Sequence, residues 1–164
     1  MTTAEHHLKS YELYRRRTHE LLDKVLQEPN PQEVLGWRPG PGRAHIAWQL
    51  LHVGVTEELF ATERLAPPKQ PGFVELLPRF RGGSTPDDDV PTPELIRRVL
   101  DESRAHLAET LRSIGDDRLG EIPAALAHRN LTMLDVLHIL GWHEAHHHGQ
   151  AHITFNLHKA RAGR

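Results

Sequence analysis

Gly141-Trp-His-Glu-Ala-His-His-His-Gly-Gln150 lies inside a long helical pattern near the end of the chain. His143 and His147 are four residues apart, which places them one turn apart on one helix face. Carried backward, that face passes Val136 and Leu140; carried forward, it passes Gln150, Ala151 and Thr154. The two imidazoles therefore take positions that belong to an apolar inner stripe. Burying bare imidazoles costs free energy unless each finds a partner, and a divalent cation takes one lone pair from each ring. The helix that carries them opens at Thr132-Met-Leu-Asp135, a capping box with Asp in its third position, and runs to about His158. Lys159 to Arg164 reads as a basic frayed tail.

Three more stretches repeat at helical spacing, and none alternates as a strand would. The first spans about Thr3 to Gln27, with Leu8, Tyr11, Thr18, Leu22 and Val25 as its stripe and Arg15, Arg16 and Arg17 mostly on its wet side. Pro29-Asn-Pro31 ends it, and a linker rich in Pro and Gly follows, including Pro39-Gly-Pro-Gly42. The second spans about Arg43 to Leu65, with Trp48, Leu51, His52, Val55 and Leu59 on one face, and Pro67-Pro68 stops it. The third begins at Thr92-Pro93, an N-cap followed by proline at the first helical position. Ile96, Leu100, Ser103, Leu107, Leu111 and Ile114 form its stripe, and Gly115 ends it. Four amphipathic helices predict an all-α four-helix bundle in a single domain, 1–164. The connection from Ala66 to Pro91 holds six prolines and the acidic run Asp87-Asp88-Asp89. It is long for a structureless loop. We expect it to cross the bundle between helices 2 and 3, so that neighbours run parallel, and to lie over the mouth of any site, with one helical turn at Glu75-Leu-Leu77.

His52 sits centrally in the second stripe. With His143 and His147 it makes a three-histidine set from two helices. Such a set leaves coordination positions open for water or substrate, the arrangement of catalytic rather than structural metal sites. His45, two turns earlier, reads as the residue that starts its helix near solvent, with a fourth-ligand role as the alternative. Gln150 is placed to hydrogen-bond a ligand, a water or substrate, or else to bridge two helices. Glu57 and Glu58 lie near His52 but rotated away, and either is a candidate partner of an imidazole. Glu144 reads as a surface or dimer-contact residue, and Gly149 as a point of close helix approach. His146 and His148 flank the inner face, and His148 with His152 offers a weak surface pair. His6, His7, His19, His106, His128 and His158 read as solvated or loop residues.

Composition narrows the function. Fourteen of 164 residues are histidine and none is cysteine. That excludes disulfides, thiolate nucleophiles, iron–sulfur clusters and cysteine zinc sites. Twenty basic against 22 acidic side chains, a net charge of −2, argues against a nucleic-acid or membrane-surface binder. No apolar run approaches the roughly 20 residues that span a bilayer, and Met1-Thr-Thr-Ala-Glu-His-His7 does not read as a signal peptide. A cytoplasmic protein is expected.

His143-Glu-Ala-His-His147 also matches the zinc-peptidase pattern H-E-x-x-H, with Glu144 as general base. That reading needs a further ligand downstream. No Asp or Glu follows His147, and Gln150 and Ile153 stand where the longer metzincin pattern needs Gly and His. A carboxylate-bridged di-iron site needs glutamates on the other inner stripes, which are absent. The non-enzymatic alternative is a dimeric bundle whose histidines bind metal for stability or pair with one another.

The histidine in Ala47-Trp-Gln-Leu-Leu-His52, the late H-x₃-H followed by Gly149-Gln150, the Trp37-Arg-Pro-Gly-Pro-Gly42 entry and the long second connection together resemble the DinB superfamily, including its YfiT-like metal-dependent hydrolases. This chain has His148 where such proteins often carry Arg. The resemblance implies a four-helix bundle with a crossover and a nickel or zinc ion on His52, His143 and His147. It also implies a homodimer and a small-molecule substrate. Two chemistries fit. In one, a water whose pKa is lowered toward about 7 attacks an ester or amide. In the other, a low-molecular-weight thiol is delivered as thiolate to an S-transfer or isomerisation.

Overall fold

The computed structural model describes residues 1–162. Its order is α1 (Thr3–Leu26), α2 (Pro31–Gly36), α3 (Ile46–Leu59) prolonged by a π turn (Phe60–Arg64), α4 (Leu77–Phe80), α5 (Pro93–Ser113), two 3₁₀ turns (Asp116–Arg118 and Ala124–Arg129) and α6 (Met133–Ala162). Among the described residues there is no strand, and no helix is long and apolar enough to cross a membrane.

Local chemistry sets the helix ends. Thr2 and Glu5 cap α1 reciprocally, the Glu5 amide donating to Thr2 Oγ1 at 3.2 Å. Thr92 accepts from the Leu95 amide, and Thr132 and Asp135 form the expected box at the start of α6. The second long helix starts later than expected because His45 is its cap, Nδ1 accepting from the Trp48 amide at 3.1 Å. Pro31 starts a short helix, α2, inside the stretch read as linker, and its Val34 and Leu35 are buried. α6 continues past His158 to Ala162.

Cross-helix contacts give the topology. Tyr11 bonds the Leu137 carbonyl, Arg15 meets Glu144 and Glu28 pairs with Lys159, so α1 and α6 run parallel. Gly54 abuts Val99, Glu57 meets Arg104 and Thr110 donates to the Ala61 carbonyl, so α3 and α5 also run parallel. α1 meets α5, and α3 meets α6, in opposite senses: Arg15 reaches Leu100 while Asp23 reaches Arg97, and Gln49 reaches Gln150 while His52 reaches His143. The long 66–91 connection thus crosses the bundle. It is docked rather than loose: Leu76, Leu77 and Phe80 are buried, the Arg79 carbonyl accepts from Trp48 Nε1, and the Gly72 amide donates to Glu58. Its helical turn falls at Leu77–Phe80, just after the segment expected.

α3 is the central element. Every residue from Ile46 to Leu59 except Trp48 is buried, as befits a helix with no charge before Glu57. A Cβ on Gly54 would stand 2.8 Å from Val99 Cγ1 and 3.3 Å from the Val99 carbonyl, so glycine permits the α3–α5 approach. Gly149, by contrast, has nothing within 4 Å and mediates no helix contact. Each fully buried leucine here, Leu50, Leu51, Leu100 and Leu107 among them, contributes about 1.5–3 kcal/mol.

Candidate metal centre

His52 on α3 and His143 and His147 on α6 come together. One ring nitrogen from each lies within 4.8 Å of the other two. Among the described residues this is the group of three or more ligand-type side chains placed to share an ion. The tautomers follow from the neighbours. His52 Nδ1 lies 2.6 Å from the Phe80 carbonyl, which can only accept, so Nδ1 carries the proton and Nε2 the lone pair. His147 Nδ1 likewise donates to Gln49 Oε1, freeing its Nε2. His143 Nε2 stands 3.1 Å from His52 Nε2. That contact is favourable if His143 carries its proton there, or if a cation receives both lone pairs.

Burial keeps the rings neutral. It pushes His143 down to about 4, aided by the facing His52, and His147 down to about 3, aided by His143. It lowers His52 as well, against the Phe80 carbonyl. Trp48 stacks on His52 with centroids 4.7 Å apart and planes at 9°. Neutral, clustered imidazoles, two of them oriented by a second bond at Nδ1, are the donor set that zinc, nickel and similar ions accept.

The other candidates fall differently. His45 is 1% exposed, not near solvent, and uses both nitrogens, one on the Trp48 amide and one on the Asp87 carbonyl at 3.0 Å. It has no lone pair for a fourth bond. Gln150 is the helix bridge: it accepts from Gln49 Nε2 at 2.8 Å and donates to His146 Nε2 at 2.7 Å. The side chain outside the trio that hydrogen-bonds one of its imidazoles is Gln49, not among the candidates that the sequence singles out. A lone glutamine in the apolar run Ala47–His52 was the signal.

Glu57 and Glu144 contact no imidazole, and neither is at the surface. They form a buried quartet with Arg15 and Arg104, one residue from each of α1, α3, α5 and α6. Arg15 donates to Glu57 and to Glu144 at 2.8 Å each, Arg104 bonds both carboxylates, and Thr18 adds a bond of 2.9 Å to Glu144. Burial alone would raise Glu57; Arg104 and Arg15 overcome it and hold the carboxyl below its usual range. Arg15 therefore faces the core, not solvent. The peptidase reading fails on the same geometry, since Glu144 is 1% exposed and bound to two guanidiniums, away from the trio. Glu58 is equally buried, bonded to His106 at 2.7 Å, and His19 pairs with Asp101, so neither histidine is merely solvated. His158 is packed edge-on against Trp37. His148 and His152 lie 5.9 Å apart, without a third donor among the described residues.

A family model for the DinB superfamily matches residues 10–151. The chain belongs to the DinB superfamily. No curated protein and no solved structure matches it. The DinB match takes in all three histidines, the crossover and the quartet, so the all-α fold and the histidine cluster both stand within a known family frame.

A cleft of about 800 Å³ opens beside the DinB histidines, lined by the 39–44 segment, Trp48, Gln49, Gln150 and Ile153. Trp48 and Gln49 are shared by cleft and trio, the first by stacking on His52 and the second by bonding His147.

Proposed function

We propose that this DinB protein is a metal-dependent enzyme in which His52, His143 and His147 hold one zinc or nickel ion and a low-molecular-weight thiol is the nucleophile. The carrying observation is the cluster itself: His52 and His147 have their Nδ1 protons bound to Phe80 and Gln49, and one ring nitrogen from each comes within 4.8 Å of one from His143. A divalent ion there supplies Lewis acidity, lowering the pKa of a small nucleophile beside it.

The surrounding residues favour thiol over water. Glu57 and Glu144, the nearest acids on the two ligand helices, are each bound to two guanidiniums and cannot take a substrate proton. A thiol, with a pKa of about 8.5, needs little help to ionise at neutral pH; water, at about 15.7, needs far more. Trp48 covers one face of His52, and the cleft it shares accommodates a small apolar body. The homodimer implied by the family resemblance finds support in Trp142, Ile153 and Leu157, large apolar side chains exposed on α6. Sedimentation mass tests it, and a monomer would remove it.

The activity test uses untagged protein loaded with zinc or nickel. It is offered a panel of small thiols with chlorodinitrobenzene and, separately, nitrophenyl acetate without thiol. Metal-dependent thiol consumption that disappears in His143→Ala is expected. Ester cleavage without thiol, lost in the same variant, would replace the thiol by water. Turnover of neither would leave the non-enzymatic bundle.

A further inference from the structure

Four strongly polar side chains line the cleft of about 800 Å³ beside the trio: Arg43, Gln49, Gln150 and Thr154. Three of them are committed inside the protein. Gln49 accepts from His147 and donates to Gln150 at 2.8 Å. Gln150 donates in turn to His146 at 2.7 Å, and the Thr154 hydroxyl donates to the Gln150 carbonyl at 2.9 Å. The indole N–H of Trp48 is taken as well, by the Arg79 carbonyl at 3.1 Å. Arg43 differs. Among the described residues its guanidinium has no hydrogen-bond partner and no carboxylate within 4.0 Å.

Acids stand nearby but go elsewhere. Pro86 also lines the cleft, and the three aspartates after it are held by other arginines. Arg38 takes Asp88 at 2.9 Å, and Arg79 takes Asp87 and Asp89 at 2.8 and 3.0 Å. Among the described residues no acid lines the cleft itself, and the rest of its wall is mostly apolar, with Trp48, Ile153 and Leu157. The order along the chain gives the cleft a direction. Arg43 stands three residues ahead of α3, Trp48 and Gln49 lie in the first turn, and His52 comes one turn later. From Ile46 to His52 the helix rises about 9 Å. A ligand laid along Trp48 toward His52 thus has its far end at Arg43. An anion at that end meets the one uncommitted polar side chain of the wall, and a guanidinium fork suits a carboxylate.

We propose that the cleft binds an elongated apolar carboxylate, with its body along Trp48, Ile153 and Leu157 and its carboxylate on Arg43. Arg43 then determines specificity, selecting acids over neutral molecules of the same shape. That this ligand is the acceptor attacked by the thiol rests on the enzymatic reading above; the binding site does not.

Calorimetric titration of metal-free protein with biphenylacetate, and separately with its neutral isostere biphenylacetamide, tests it. Without metal, a carboxylate–metal bond cannot imitate Arg43. One biphenylacetate should bind per chain, about three- to tenfold more tightly than the amide, the span between an exposed ion pair and a charge-assisted hydrogen bond. Arg43→Gln should remove that preference and leave the affinity for the amide unchanged, and Arg43→Lys should keep part of it. Ile153→Ser, in the apolar wall, should weaken both ligands alike. Arg16→Gln, exposed on α1, should weaken neither. Arg43 is exposed, so its variants should keep the circular dichroism and metal content of wild type. A preference for the acid that survives Arg43→Gln, or no binding of either ligand, would overturn the proposal. An Arg43-dependent preference in a protein that takes up no metal would keep the cleft site and defeat the metal reading instead.

Discussion

Two polar clusters share the middle of this bundle, and they differ in one respect. The quartet Arg15, Glu57, Arg104 and Glu144 is closed: two cations meet two anions, and both carboxylates accept from both guanidiniums. The trio His52, His143 and His147 is open: the Nδ1 protons of His52 and His147 are bound to Phe80 and Gln49, and the Nε2 atoms of His52 and His143 face each other with no charged partner between them. They are neighbours, since Glu144 stands between two trio residues in the chain and points to a different helix face. A closed set of charges ties four helices into one packing. An open set of neutral donors asks for a ligand.

The largest expected effect lies on the closed side. Glu144→Leu leaves Arg15 and Arg104 buried with a single carboxylate, and should destabilise metal-free protein by about 3–5 kcal/mol. His143→Ala should cost clearly less in the same urea titration. Equal losses would erase the distinction between the clusters.

Next comes the orientation of the open side. Gln49→Leu removes the acceptor that fixes His147, and should weaken metal binding about 10–100-fold against a competing chelator. Unchanged affinity would mean that the glutamine is packing alone. Acid sensitivity should be smaller. Because the folded values of His143 and His147 lie at about 4 and about 3, below the ordinary 6.5, the unfolded chain binds more protons between these limits. Metal-free stability is then full above pH 6.5 and falls as pH drops from there toward 4. A His143→Ala variant should show a flatter decline, and an equally steep one would assign the acid response elsewhere. Smallest is Gln150→Ala, which cuts an exposed bridge one step removed from the trio. It should alter stability by no more than about 0.5 kcal/mol in the same unfolding assay; a large loss would place Gln150 in the support of the site.

Much of this comparison is written in local periodicity. The i,i+4 spacing of His143 and His147 and the central place of His52 in an apolar run bring the trio together without knowledge of the topology. Thr92 and the Thr132–Asp135 box announce their helices by chemistry confined to four residues. The quartet was illegible because each member is one charge at the edge of a stripe. Its meaning depends on partners 40 to 129 positions away on other helices. Arg15 among three arginines looks wet, and Glu144 among histidines looks like a peptidase base, until α1 and α6 are seen side by side. The His45 cap and helix α2 were hidden for a related reason: a Pro- and Gly-rich linker signals a break, not what folds within it.

The most direct test is elemental mass spectrometry on untagged protein beside His52→Ala prepared identically. One zinc or nickel per chain in the first and none in the second is the predicted result. Equal metal in both, or none in either after reconstitution, would contradict a centre shared between α3 and α6.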